Sequence, residues 1–349
     1  MSRTFLISKL GVSLVAASLV AFGCSSDDTS TPNNNNNTDG GDNNTGNTVG
    51  KQPARPTSGE PTADVHTFAI DTLDLGDVNW KSLGYNIDGK VSTSQSTDVC
   101  KETNGQKTIH NDGNQGIDNA FGNKIAAYIG TINPQPSSRI SDAIKGGEFT
   151  IIFETTGLSA DAAQTANGVT GKVYTGGAYD PDGKKKPTFA KDDNWPVRDN
   201  LTPKATFDNG YVTNGTYVSG DPTDIQMTLI FSGQQLSITI HKAVVTFKHS
   251  AESAATGGII SGVIETAQLV SEIQKVAGAI SPSFCPGSAN ADSLKSTIQE
   301  ASDILKDGTN VAGSDCDGIS VGIGFTAKEI AAPTKVSVQP AVGDPCSTD

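Results

Sequence analysis

The chain has 349 residues, is 35% hydrophobic and 6% aromatic, and sets 25 Lys and Arg against 38 Asp and Glu, a net charge of −13. So acidic a composition argues against nucleic acid as a partner and against direct adsorption to anionic lipid. It contains no His-Glu-x-x-His helix, Gly-x-Ser-x-Gly elbow, phosphate loop or dinucleotide fingerprint, which removes the motif-bearing enzyme classes.

The N-terminus opens with Arg3 and Lys9, continues through an uncharged apolar run from Leu10 to Phe22, and closes on small residues. Thirteen residues are too few for a bilayer span, which needs ~20; the pattern is that of an export signal over residues 1–23. Its removal takes away two basic residues and no acid, leaving 23 against 38, a net charge of −15. The stretch Leu19-Val20-Ala21-Phe22-Gly23-Cys24, followed by Ser25-Ser26-Asp27-Asp28, resembles the lipobox of Gram-negative bacterial lipoproteins. That resemblance implies a diacylglyceryl group on Cys24 and attachment to the cell envelope. With Ser25 after the anchor it implies the outer membrane, so that the chain meets a membrane through its N-terminal lipid. It implies no particular activity.

Residues 24–63 hold five consecutive asparagines (Asn33 to Asn37), then Gly, Asp and Thr, then Pro53, Pro56 and Pro61, with almost no apolar side chain. Such a segment buries too little surface to offset its ordering entropy and reads as a disordered tether, with an end-to-end distance of ~30–35 Å. Residues 64–349 read as the folded domain.

Within that domain the periodicity favours strands. Runs at Glu148–Thr156, Asp224–Phe231, Leu236–Ile240, Ala243–Phe247 and Gly318–Ala327 are apolar or alternate with period two, and a short one follows at Lys335–Gln339. Residues 232–235 lie between two of these as a hairpin turn, the phase shift at His241 and Lys242 calls for a bulge, and Asn209-Gly210 and Asn214-Gly215 have hairpin chemistry. Helical stripes run over Ile264–Ile280, over Ala291–Lys306 with Asn290 as its cap, and through Ile117, Phe121, Ile125 and Ile129. Strands in runs with helices grouped between them predict a mainly β single domain with α insertions, an antiparallel β-sandwich or jelly roll.

Setting Cys24 aside leaves Cys100, Cys285, Cys316 and Cys346, an even number with no Cys-x-x-Cys spacing. An oxidising compartment makes them two disulfides, with three pairings open to sequence; the helix-sized segment between Cys285 and Cys316 favours joining those two, and Cys100 to Cys346.

The most chemical-looking stretch is His110-Asn-Asp-Gly-Asn-Gln-Gly-Ile-Asp-Asn119. Asp112, Asn114, Gly116 and Asp118 alternate, so a tight loop could aim several oxygens at a calcium ion, with Asp88, Asp315 and Asp317 as further donors; the same residues also suit an ordinary turn and helix cap. Glu148 and Glu154 share a strand face about 20 Å apart, too far for a two-carboxylate hydrolase. Two functions stand after this: a non-catalytic binding or structural domain recognising a glycan or an envelope protein, and, as the alternative, an envelope hydrolase using carboxylates or a bound metal.

Overall fold

The computed structural model describes residues 50–104, 107–231, 234–250, 253–338 and 345–346. The export signal, Cys24 and the tether as far as residue 49 lie outside the described residues, as do Ser232 and Gly233 of the expected hairpin turn.

The domain is mainly β, a sandwich-like single domain built on one large sheet. Its strands are β1 (Val65–Asp74), β2 (Thr150–Thr156), β3 (Ala166–Gly176), β4 (Val197–Arg198), β5 (Ala205–Thr213), β6 (Thr216–Val218), β7 (Thr223–Phe231), β8 (Gln234–Ser250), β9 (Ala254–Glu265), β10 (Gly318–Ile330) and β11 (Val336–Ser337). They run in the order β11-β4-β3-β2-β1-β10-β9-β8-β6-β5, with β7 on the free half of β8. β5 pairs with β3 as well as with β6, so an antiparallel circuit of eight strands returns to its start. Closure leaves those strands without a free edge. Inside it, Phe68, Phe153, Tyr217, Phe247 and Phe325 form a chain of ring contacts 5.0–6.2 Å apart, at the distances aromatic pairs favour. The Ile319, Val321, Ile323 and Phe325 alternation of β10 supplies one wall of this core.

Glycines admit a second layer over the outer face of β10. A Cβ on Gly322 would sit 2.3 Å from the Leu83 carbonyl oxygen, so the 83–84 backbone rests directly on the strand. Asn119 locks that contact: its amide donates to the carbonyls of Leu83 and Gly322 and its oxygen accepts from the Gly322 N–H.

The bulge at Lys242 is present, with Lys242 at φ 52° and a register shift between His241 and Val244. Asn214 and Gly215, at φ 49° and 72°, form the turn between β5 and β6. Asn209-Gly210 does not turn; it lies inside β5, where a Cβ on Gly210 would meet the Val169 carbonyl oxygen at 2.4 Å, so close strand approach explains that glycine.

Four α-helices are described: α1 (Ala127–Ile132), α2 (Pro136–Gly146), α3 (Thr266–Ile280) and α4 (Ala289–Gln299). α1 continues from a π-helical turn, Phe121–Ala126. The long stripe at Ile264 divides differently from expectation, because Ile264 belongs to β9 opposite Ile240 and the helix begins at Thr266. α4 ends at Gln299 instead of Lys306, and Ser288, not Asn290, caps it by accepting from the Ala291 N–H. α2 follows Pro136 at its first turn and stops at Gly147, φ 85°; left-handed geometry there suits glycine.

The domain starts earlier than residue 64. Pro53, Ala54 and Pro56 offer their carbonyls to Tyr211, Thr213 and Asn167, Arg55 lies 4.5 Å over the Tyr211 ring, and Thr62 donates to Gly157. An extended Pro-rich segment has few apolar side chains to bury but keeps its backbone acceptors, and these tie residues 50–63 to β3, β5 and the loop after β2.

The disulfides are Cys100–Cys316 and Cys285–Cys346, each with a Cα–Cα distance of 5.3 Å, which corrects the pairing expected from spacing. After α4 the chain returns across the 100-region: Cys316 donates to the Lys101 carbonyl and Lys101 to that of Ser314. Cys316 therefore meets Cys100, while Cys285 stays beside α3, where a Cβ on Gly278 would lie 2.4 Å from the Cys346 sulfur.

Candidate apolar ligand site

Where the helices meet β7 and β8 they do not close completely. A cavity of about 110 Å³ remains between Phe121 and Ile125 of the π turn, Tyr128 and Ile129 of α1, Leu229 and Leu236 of the sheet, Ile273, Val276 and Ala277 of α3, and Leu294 and Ile298 of α4. Its wall is apolar. Ile280, at the end of α3, lines the same cavity and is 58% exposed. The α3 and α4 stripes, legible in sequence as core faces, thus pack on each other and on the sheet only in part. The π turn contributes the rest: π-helical segments are rare and concentrate at functional sites, and this one directs Phe121 and Ile125 into the cavity.

A second, polar recess of about 520 Å³ lies alongside, lined by Glu102, Thr108, His110, Lys124, Tyr128, Thr297, Glu300 and Ala301. Tyr128 belongs to both walls. His110 Nε2 bonds to the Glu300 carbonyl, so that nitrogen carries the proton. Burial pushes the His110 imidazole down from its ordinary value.

The residues expected around calcium form a different device. One Asp118 oxygen accepts the Ile87 N–H at 2.6 Å, and Asp112 accepts the N–H of Ser92. Asn114 opens a short 3-10 turn and Gly116, φ 80°, lets Asn86 and the Lys90 carbonyl approach. These carboxylates strap the 85–92 loop to the 112–118 loop. Asn310 donates to the Asp88 carboxylate and to the Asp303 backbone carbonyl, while the Asp303 carboxylate accepts from the Ser320 N–H and hydroxyl; Asp315 pairs with Lys107 and Asp317 accepts from the Lys306 N–H. Burial, reinforced by mutual repulsion, pushes Asp112 up to about 6, Asp303 up to about 7 and Asp118 well above the usual carboxylate range. Among the described residues no three or more His, Cys, Asp or Glu side chains are placed to hold a metal ion.

Glu148 is exposed at the entry to β2, and Glu154 pairs with Lys172 at 2.8 Å, so the two acids do not act together. His241 lies beside Asp224, 2.9 Å away, whereas His249 is buried. Its ring lies 5.0 Å from that of His66 and 5.4 Å from that of Phe68. Glu329 binds His66 at 2.7 Å and Lys191 at 2.8 Å; burial alone would raise its carboxyl, but these two partners outweigh it and hold it at about 2. Trp195, an aromatic that could have served a glycan platform, is fully buried against Tyr179 and Phe189.

Sequence reasoning missed the cavity because it depends on a gap between four helices and a sheet. Among the described residues no helix is long and apolar enough to cross a membrane. No family model matches the chain, and no match was found among curated proteins or solved structures.

Proposed function

We propose that this chain is a lipid-anchored cell-envelope protein whose β domain is a non-catalytic binding module for an apolar ligand. The observation that supports this reading is the cavity itself: an apolar wall, built by the π turn, α1, α3, α4 and the sheet and opening beside the exposed Ile280. Binding pockets are concave and mostly apolar, whereas a gap in a core normally collapses because unfilled space forfeits contacts. An anchor at Cys24 would hold such a module beside membrane lipid, where apolar ligands reside.

The test is saturable binding of xenon, followed by its NMR shift, a neutral apolar probe small enough for a cavity of about 110 Å³. Ala277→Phe places a ring in the cavity; it should weaken probe binding at least about tenfold, ~1.4 kcal/mol, while keeping the unfolding temperature at or above that of the wild type. Unsaturable binding, or equal binding by the filled variant, would refute the reading.

A further inference from the structure

We infer that the polar recess between the π turn and the end of α4 is a binding site in its own right, for a basic amino acid carrying two ammonium groups and one carboxylate. It is separate from the apolar cavity, and neither site needs the other.

The recess holds about 520 Å³, within the ~300–1,000 Å³ usual for small-molecule sites. Its most constrained member is Glu102, which is only 3% exposed. The N–H and the hydroxyl of Thr108 both donate to Glu102 Oε1, at 3.0 and 3.1 Å. Its other carboxylate oxygen has no hydrogen-bond partner among the described residues, and the side chain lines the recess. A buried carboxylate is costly unless a counter-charge meets it. Fixed by Thr108 and left half unpaired, Glu102 is a preorganised seat for an ammonium.

The other walls set the charge of the ligand. Glu300 supplies a second carboxylate at the C-cap of α4, where the helix dipole is negative and favours cations. His110 donates its Nε2 proton to the Glu300 carbonyl, which leaves Nδ1 as an acceptor, and burial disfavours the imidazolium. Lys124 is the one cation of the lining, and it is exposed, with no ion-pair partner among the described residues. Two carboxylates and one ammonium are complemented by two ammonium groups and one carboxylate. A diamine lacks the anion for Lys124, and a neutral amino acid lacks the second cation.

The test is calorimetric titration of the full chain, at neutral pH and low salt, with L-lysine and two analogues that each lack one charge: cadaverine, without the carboxylate, and L-norleucine, without the side-chain ammonium. L-Lysine should saturate a single site and bind at least about tenfold more tightly than either analogue, as one charge-assisted contact predicts. Lys124→Met, at an exposed position, should weaken lysine about tenfold while leaving cadaverine no weaker. Glu102→Gln, whose amide oxygen can still accept from Thr108, should weaken lysine and cadaverine alike. Absence of saturable lysine binding, equal binding of the three ligands, or a Lys124→Met variant that loses cadaverine as much as lysine would each overturn the inference. Xenon binding reports only on the apolar cavity, so the two readings fail separately.

Discussion

Removing the two cross-links separately should destabilise the domain unequally, in an order set by how much chain each one closes. Cys100 and Cys316 are 216 residues apart, and Cys285 and Cys346 are 61 apart. The loop-entropy relation gives about 5 kcal/mol for the first and about 4 kcal/mol for the second, a difference of about 1 kcal/mol from (3/2)RT ln(216/61). Local structure widens that gap. The Cys100–Cys316 bridge pins the long irregular stretch before the π turn to the start of β10, and Cys316 is completely buried. Cys285–Cys346 fastens the C-terminal tail to the end of α3. The measurement is urea unfolding of Cys100→Ala/Cys316→Ala and of Cys285→Ala/Cys346→Ala, with non-reducing peptide mapping of the wild type. The first double variant should lose at least about 1 kcal/mol more than the second, with its midpoint lowered to match. Mapping that joined Cys285 to Cys316, or a greater loss from the 285–346 pair, would refute the reasoning.

Stability should rise as pH falls from 8 toward 5. Asp303, at about 7, and Asp112, at about 6, lie above their unfolded values of ~3.9, so between about pH 4 and 7 the folded state binds protons that the unfolded chain does not, and this contribution is lost as pH rises through 7. The gain from the two groups is on the order of 3–4 kcal/mol. It is opposed below pH ~6.5 by His249 and His110, both of which burial disfavours in their charged form, and below pH ~4.5 by Glu329. Asp303→Asn should flatten the rise in denaturant titrations at pH 8, 7, 6 and 5; a wild type most stable at pH 8 would contradict this. Cys24→Ala should move the chain from the membrane to the soluble fraction, and an N-terminal peptide of the wild type without a lipid-sized mass increment would remove the anchor from the proposal.

Much of the architecture was legible because it is local. Period-two alternation marked β10 and the first half of β8, the change of phase at Lys242 marked a bulge, and Asn214-Gly215 marked a turn whose positive φ angles few other residue pairs tolerate. An even cysteine count pointed to two bridges. Elements with weaker local patterning escaped: β1, β3 and β9 mix polar residues into both faces because the interior and the overlying loops bury each face in turn. Asn209-Gly210 misled because its glycine answers to a neighbouring strand instead of a turn.

The sequence by itself determined that this is a mainly β domain with grouped helices, four pairable cysteines and an acidic surface, since composition and short-range periodicity fix hydrophobic faces and turn chemistry. Only the tertiary structure decided which cysteines pair, that Asp112 and Asp118 strap loops through backbone amides, that His249 is buried beside His66, and that an apolar cavity and a polar recess meet at Tyr128. Each of these joins residues tens to hundreds of positions apart, and such proximity is set by how the sheet closes and where the helices land, which no local pattern encodes.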